Sequence, residues 1–457
     1  MAISAASACF LGAAVGAPTV SATDPGVRAG TPGAGSPMTG MAPVATPYFT
    51  DGQNRFLEVE VVQGGANNGL GPRFNSNQCA SCHIQPSLGG SSPAINPLLT
   101  VAALNGATNS IPWFITQRGP IREARFKLNP DGTPDGGVHN LFTITGRRDA
   151  PTCNIAQPNF LPAGNPVTGQ GGNPNIVFRI PTPVFGAGLI EAIPDSVILA
   201  NVSANASEKA RLGIHGHPNA IISGTANHSA NDGTITRFGW KAQNKSLLMF
   251  AGEAYNVEMG ITNQMFPQER DETPSCLYEP DPEDTLNFGG TPSYEVLSDI
   301  EAFADFMRML APPTPAPDTP ATIAGRAAFS AIGCSNCHTP ALTTGATTAS
   351  SYPRVQLNAA LSNQTVNLFS DLLLHQMGQG LADGIAQGNA AGDEFRTAPL
   401  WGVGQRVFFM HDGRTSSLVE AIEAHQSPGS EANQVVEQFN HASPQQQQDL
   451  VTFLRAL

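Results

Sequence analysis

The sequence predicts a mainly α-helical protein of two domains, with long irregular loops and a few short strands. Three observations predict it. The pattern C-x-x-C-H occurs twice, at 79–83 and at 334–338, far apart in the chain. Val296, Ile300, Phe303, Met307 and Leu310 recur at helical spacing over 294–310 and stop at the Pro-rich stretch Ala311–Pro317. A capped helix closes the chain, with Ser443 at the cap, Pro444 in the first turn, and Leu450, Phe453, Leu454 and Leu457 on one face.

Bulk properties agree. The 457 residues allow two or three domains at about 150 residues each. With 36 acidic against 23 basic side chains the net charge is -13, and without a basic run nucleic acid is a poor partner. Charged residues make up 13%, and Gly (47) and Pro (38) are abundant, so loops should be extensive; an apolar fraction of 40% still builds a core. Past the N-terminus no run of about 18 apolar residues occurs, so no internal membrane span is expected.

In chain order, residues 1–22 are small and apolar and end in Val20-Ser21-Ala22, a small-x-small pattern. They read as a secretory leader cut after Ala22, although a basic n-region is missing. Cys9 falls inside this leader. A secretory leader implies the periplasm or the cell exterior. Residues 23–47, rich in Gly, Pro, Thr and Ala, read as a flexible segment.

Each C-x-x-C-H places two thiols one helical turn apart and an imidazole beside them. Two such thiols can form thioethers with the vinyl groups of one porphyrin, and the His then meets the iron. The attachment residues are Cys79, Cys82 and His83, then Cys334, Cys337 and His338. A zinc ribbon would need its Cys pairs about 15–20 residues apart. Cys153 and Cys276 remain, and read either as a disulfide suited to an oxidising compartment or as two separate buried thiols.

Two covalently bound c-type haems imply two cytochrome c-like haem domains: 48–310 with long insertions, a Pro-rich linker at 311–320, and 321–457. A helix over 321–332 runs into the second motif. In the first domain, 129–137 and 162–175 read as loops, and short strands are expected at 176–180 and 234–239.

The second iron has a candidate partner. Ser417 and Glu420 form a capping-box pattern that starts a helix, and Leu418, Ile422 and His425 share one face of it. An imidazole on an apolar face needs a partner or a metal, which makes His425 the candidate sixth ligand. His375, Met377, Met410 and His411 are its rivals. Bis-His ligation suits electron transfer. No His or Met lies between His83 and His139, and the loop after the first motif is Gly- and Ser-rich. The first iron therefore has no local sixth ligand and is expected to bind peroxide or dioxygen.

These residues resemble the di-haem cytochrome c peroxidase and MauG-like superfamily, and more closely its di-haem oxidoreductase branch, labelled peroxidase or thiol oxidoreductase. The resemblance covers roughly 48–457. It is carried by GPRFNSNQCASCH at 71–83, RGPIREARF at 118–126, FRIPTPVFGAGLIEAIPD at 178–195, RFGWKAQ at 237–243, SDLLLHQMGQGLADG at 370–384, and EFRTAPLWGVG with FFMHDGRTSSLVEAIEAH within 394–425. It implies that Trp240 lies between the haems, that Glu258 is the carboxylate beside bound peroxide, and that Thr397 and Pro399 lend carbonyls to a calcium ion. His411-Asp412-Gly413 would be structural or contact a propionate, and Arg122 and Glu123 would line the first haem pocket. Where the peroxidases carry a glutamine between Trp240 and Glu258, the segment Leu247-Leu248-Met249-Phe250 implies a more apolar pocket. The implied activity is peroxide reduction at the first haem, with electrons from a small periplasmic cytochrome or cupredoxin relayed through the second. Oxidation of an organic or protein substrate, as in MauG-like enzymes and rubber oxygenases, is the alternative reading. A di-haem electron carrier without enzymatic activity is the third.

Overall fold

The computed structural model describes residues 20–160, 175–220, 235–285, 297–347 and 355–457. Most of the expected leader, most of the 162–175 loop, His228 and Val296 lie outside the described residues.

Helix outweighs strand. In the first half α1 (Thr46–Leu57), the single turn α2 (Cys79–Cys82), α3 (Leu247–Met259) and α4 (Asp299–Met309) surround the first C-x-x-C-H. The helix expected over 294–310 thus begins at Asp299, where the Ser298 hydroxyl accepts from the Glu301 N–H. α1 crosses α4 at Gly52, where a Cβ would stand 2.4 Å from the Ala302 carbonyl oxygen. Phe49 and Phe56 of α1 then meet Phe306 of α4 at centroid distances of 5.3 and 5.2 Å.

The second half repeats this solution. α5 (Pro320–Ile332) is followed by α6 (Leu418–Ala424), α7 (Asn433–His441) and α8 (Pro444–Ala456). Both α5 and α8 open with a reciprocal capping box, Thr319 with Thr322 and Ser443 with Gln446. They cross at Gly325, where a Cβ would stand 2.0 Å from the Asp449 carbonyl oxygen. Phe329 and Phe453 close the contact at 5.6 Å. Burying aromatic rings of this size stabilises each pair by roughly 1.5–3 kcal/mol per ring.

The described strands form four short antiparallel pairs. They are β1 (Arg73–Phe74) with β3 (Phe142–Thr143), β2 (Glu123–Phe126) with β4 (Ile176–Arg179), β5 (Leu342–Thr343) with β6 (Thr365–Val366), and β7 (Leu374–Gln376) with β8 (Glu394–Arg396). Glu123 stands opposite Arg179. The strand expected at 176–180 is β4. Over 235–239 no strand forms; Thr236 and Phe238 make only isolated bridges, to Asn219 and Asn244.

Two apolar cores follow the two helix frames, with a small cluster of Ile180, Trp240, Phe395 and Phe408 apart from both. Residues between Leu342 and Leu373 join the first core although they follow the second motif in sequence. A buried ion network ties the halves together. Asp383 accepts from Arg179 at 2.7 Å and pairs with Lys241 at 3.2 Å, all three side chains being almost wholly enclosed. Cys153 and Cys276 form a disulfide.

Residues 23–47, expected to be flexible from composition, are held along the surface of both halves. Asp24 accepts both guanidinium branches of Arg455 at 2.7 Å and the first N–H of α6 from Leu418. Met38 N–H bonds to the Met309 carbonyl. Composition reports the low intrinsic order of such a segment; one buried ion pair and backbone bonding to finished elements overcome it. Among the described residues no helix is long and apolar enough to cross a membrane.

Candidate functional site

A cavity with about 1200 Å³ of open space lies beside the first motif, bordered by Cys79, Cys82 and His83. The one-turn helix α2 presents both thiols. His83 then leaves the helical path and donates its Nδ1–H to the Gly90 carbonyl at 3.1 Å. That acceptor comes from the Gly-rich loop, which turns through Gly89 at φ +84°. A carbonyl can only accept, so the proton is fixed on Nδ1 and the Nε2 lone pair is left for a metal. Burial pushes the His83 imidazole below its ordinary value, which keeps it neutral.

The lining of this cavity also carries Glu258, Glu123, Arg125, Gln243 and Trp240. Glu258 sits in the last turn of α3, whose start is capped by Ser246. Asn75 holds it twice: its backbone N–H bonds to the Glu258 carbonyl at 2.7 Å, and its Nδ2–H to Oε2 at 2.7 Å. Burial, reinforced by the charge of Glu123, pushes the Glu258 carboxyl up to about 8. Glu123 moves the other way: burial opposes ionisation, but Arg125 and Arg179 outweigh it.

A second cavity, with about 1410 Å³ of open space, lies beside Cys334, Cys337 and His338. His338 donates Nδ1–H to the Phe369 carbonyl at 3.1 Å, and burial pushes it down to about 4. Phe369 has φ +53°, a left-handed conformation that a side-chain-bearing residue adopts at a cost. His425, at the C-cap of α6, lines the same cavity and donates Nδ1–H to the Ala421 carbonyl at 2.6 Å. It too is a neutral imidazole with Nε2 left for a metal, its value lowered by burial.

All four rivals also line this cavity, and the two imidazoles among them are differently engaged. His375 has both nitrogens on carboxylates, Nε2 on Asp371 at 3.0 Å and Nδ1 on Glu431 at 2.8 Å. Burial alone would push it down; the Cys337 sulfur and Asp371 reverse this. His411 stacks on Phe395 at 4.2 Å, and burial lowers it to about 4.

Both cavities suit a haem. The second holds Arg406, a buried guanidinium whose Nε and Nη2 lack partners and whose value burial lowers to about 10. A buried cation facing a cavity calls for an anion, which a haem propionate would supply. The Thr397 position suits calcium poorly. The Thr397 carbonyl already accepts from the Ser370 hydroxyl at 2.6 Å and lies 3.4 Å from the Arg396 guanidinium. Among the described residues no three His, Cys, Asp or Glu side chains form a metal cluster.

Trp240 lines both cavities, with its indole N–H on the Ile180 carbonyl at 2.8 Å. Arg122 and Glu123 line the first cavity as the resemblance implies. Three features escaped sequence reasoning. Gln243 borders the first cavity with a buried, partnerless Oε1, so a glutamine does stand between Trp240 and Glu258, earlier in the chain than the Leu247–Phe250 segment. Asn75 and Arg125 lie inside quoted motif stretches, yet only the fold shows them holding carboxylates. His139, by contrast, stacks on Phe126 at 3.8 Å and pairs with Asp135.

No curated protein matches the chain. Among solved structures, hydrazine synthase of Kuenenia stuttgartiensis is 22% identical with a TM-score of 0.23. The match covers 36% of this chain and 57% of that one. The diheme peroxidase BthA of Burkholderia thailandensis is 15% identical with a TM-score of 0.36, over 96% and 95% of the two chains. A MauG-like protein associated with microbial copper homeostasis is 14% identical with a TM-score of 0.26, over 52% and 79%. The family described as "Di-haem oxidoreductase, putative peroxidase" matches residues 172–457, a span that contains the second C-x-x-C-H, Trp240, Glu258 and His425. With two thiol-and-imidazole cavities on either side of one tryptophan and that match over more than half its length, the chain belongs to the di-haem oxidoreductase family.

Proposed function

We propose that this protein is a periplasmic di-haem c-type peroxidase, reducing hydrogen peroxide at the first cavity with electrons that enter at the second. One observation carries the reading: the two attachment sites are surrounded unequally. His338 faces a second imidazole, His425, across its cavity. His83 shares its cavity with three carboxyls (Glu123, Glu253 and Glu258), a glutamine and no second His. Bound haem supplies the redox chemistry and the iron at which a small oxidant binds.

The chain's own residues do the rest. His338 and His425 hold one site closed for electron transfer. Trp240 offers an indole common to both cavities as the route between them. Glu258 stands as the acid that protonates the leaving oxygen, with a carboxyl poised at neutral pH. The overall change is one peroxide, two electrons and two protons to two waters. The electron donor is a small cytochrome or cupredoxin. The Cys153–Cys276 disulfide fits an oxidising compartment reached through the leader at 1–22. The domains are 48–310 and 321–457, with the linker at 311–320.

Leu98, Ile121, Phe250 and Met259 make part of the first cavity apolar. This supports a second reading, oxidation of an organic or protein substrate. Optical and EPR spectra of the as-isolated protein test both enzyme readings: one high-spin haem that binds cyanide is expected. Peroxide turnover with a reduced cytochrome, set against oxygen consumption with an organic substrate, separates them. Two low-spin haems blind to added ligand would leave only a carrier. Mass spectrometry that found no porphyrin on either thiol pair would sink the c-type assignment.

A further inference from the structure

We propose that Glu123 and Glu258 work as one unit in the first cavity, a carboxyl pair holding a single proton, with Glu123 as base and Glu258 as acid. This rests on the peroxide reading of that cavity.

Glu123 projects from β2 and Glu258 from the last turn of α3, both side chains border the same cavity, and the charge of Glu123 acts on Glu258. Two buried carboxylates that share a cavity repel when both are ionised, which favours one proton on the pair. The surroundings decide where it sits. Arg125 donates Nε–H to Glu123 Oε1 at 2.6 Å, and Arg179 faces Glu123 across the β2–β4 pair. Arg179 is in turn anchored by Asp383. Glu258 accepts from the neutral amide of Asn75, and Arg125, though its charge also reaches Glu258, donates its hydrogen bond to Glu123. The cations thus favour charge on Glu123 and leave the proton on Glu258. The other titratable groups facing Glu258 are Cys82 on α2 and Glu253 on its own helix, which share the cavity lining. Neither is a cation, so neither draws the charge toward Glu258.

Such a pair handles both protons of a bound peroxide at once. Glu123 accepts the proton of the near oxygen while Glu258 gives its proton to the far oxygen. The O–O bond breaks with its electron pair on the far oxygen, which departs as water. The pair ends with one proton, as it began. The two electrons that would reduce the near oxygen to the second water would pass from the reduced donor protein by way of the bound haem, with two protons from solvent. A lone carboxyl would have to take the first proton before delivering it; the pair needs no such wait.

Infrared spectra of the resting holoprotein across pH provide a readout apart from turnover. Wild type should show a protonated-carboxyl stretch that Glu258→Gln lacks, and it should fade as pH rises through about 8. In Glu123→Gln that band should fade at lower pH, because the neighbouring negative charge is gone. Glu123→Asp, which keeps the charge and the Arg125 partner, should restore the wild-type titration and guards against misfolding of the Gln variant. Peroxide turnover should fall by about 10²–10⁴-fold in both Gln variants at unchanged haem content. An unshifted band in Glu123→Gln with normal turnover would overturn the pair while leaving Glu258 as a lone acid and the peroxide reading intact. Infrared shifts as expected with wild-type turnover in both Gln variants would overturn the pair's chemical role and leave the peroxide reading standing, whereas a wild type that does not turn over peroxide would overturn that reading itself.

Discussion

Trp240 and His411 meet edge to face, ring centroids 6.3 Å apart, and both are tied to the backbone of Ile180. The indole N–H donates to the Ile180 carbonyl, and the Ile180 N–H donates to the His411 carbonyl at 2.7 Å. His411 in turn stacks on Phe395, over which the Lys241 ammonium sits at 4.1 Å. The indole between the cavities is therefore held by backbone on one side and by a ring column on the other. On the proposed electron route, this rigidity would keep the reorganisation that accompanies transfer small.

Trp240→Phe keeps a ring in place but leaves the Ile180 carbonyl without its donor, a loss of about 1–3 kcal/mol in stability. Haem content should stay normal. Stopped-flow reduction should show the second site filling as before and the first site at least about tenfold slower, equivalent to about 1.4 kcal/mol on the barrier. Equal rates at both sites would remove Trp240 from the route.

His425→Ala should convert one low-spin haem to high spin and leave the other spectrum unchanged. Added imidazole should restore the low-spin signal, because the cavity left by the side chain has room for it. If the spectrum stays as in wild type, the sixth ligand is another residue.

Asp383→Asn leaves Arg179 and Lys241 as buried cations without their shared anion. Breaking such a pair costs about 3–5 kcal/mol, readable as a lower denaturation midpoint. The pH dependence has a definite sign. Burial opposes ionisation of Asp383, but Arg179 and Lys241 hold its carboxyl below 3.8. Its contribution is present above the unfolded value and is lost as pH falls below that value toward the folded one. Wild type should therefore lose stability in acid, and the Asn variant should lose less over the same range.

Gly325→Ala places a methyl 2.0 Å from the Asp449 carbonyl oxygen, so α5 and α8 must separate. Overpacking of this kind costs about 1–3 kcal/mol. Thermal unfolding should show the loss, and haem retention by the second site should suffer before that of the first. An unchanged midpoint would mean the crossing can relax.

The helices that frame the sites were legible because their signals are local. Ser443 and Ser417 cap what they precede, whereas the close approaches at Gly52 and Gly325 emerged only from the packing. The strand expected at 234–239 failed for the same reason. Alternating residues such as Thr236 and Phe238 suggest a ladder, but a ladder needs a partner strand, and here the chain finds only single bridges to Asn219 and Asn244. The flexible reading of 23–47 missed Asp24, because nothing near it in sequence hints at Arg455, at the far end of the chain.

By itself the sequence determined the chemistry on offer. Cysteine pairs with an adjacent His are contiguous, and contiguous residues keep their spacing in any fold. Only the tertiary structure decided how that chemistry is distributed. It withdrew His375 by placing carboxylates on both its nitrogens, and it left His425 with one nitrogen open. It also brought Glu123, Asn75, Gln243 and Glu258 from four separate segments to one cavity. Proton and metal affinities depend on neighbours a few ångströms away in space, and those neighbours come from distant parts of the chain, so no local pattern could name them.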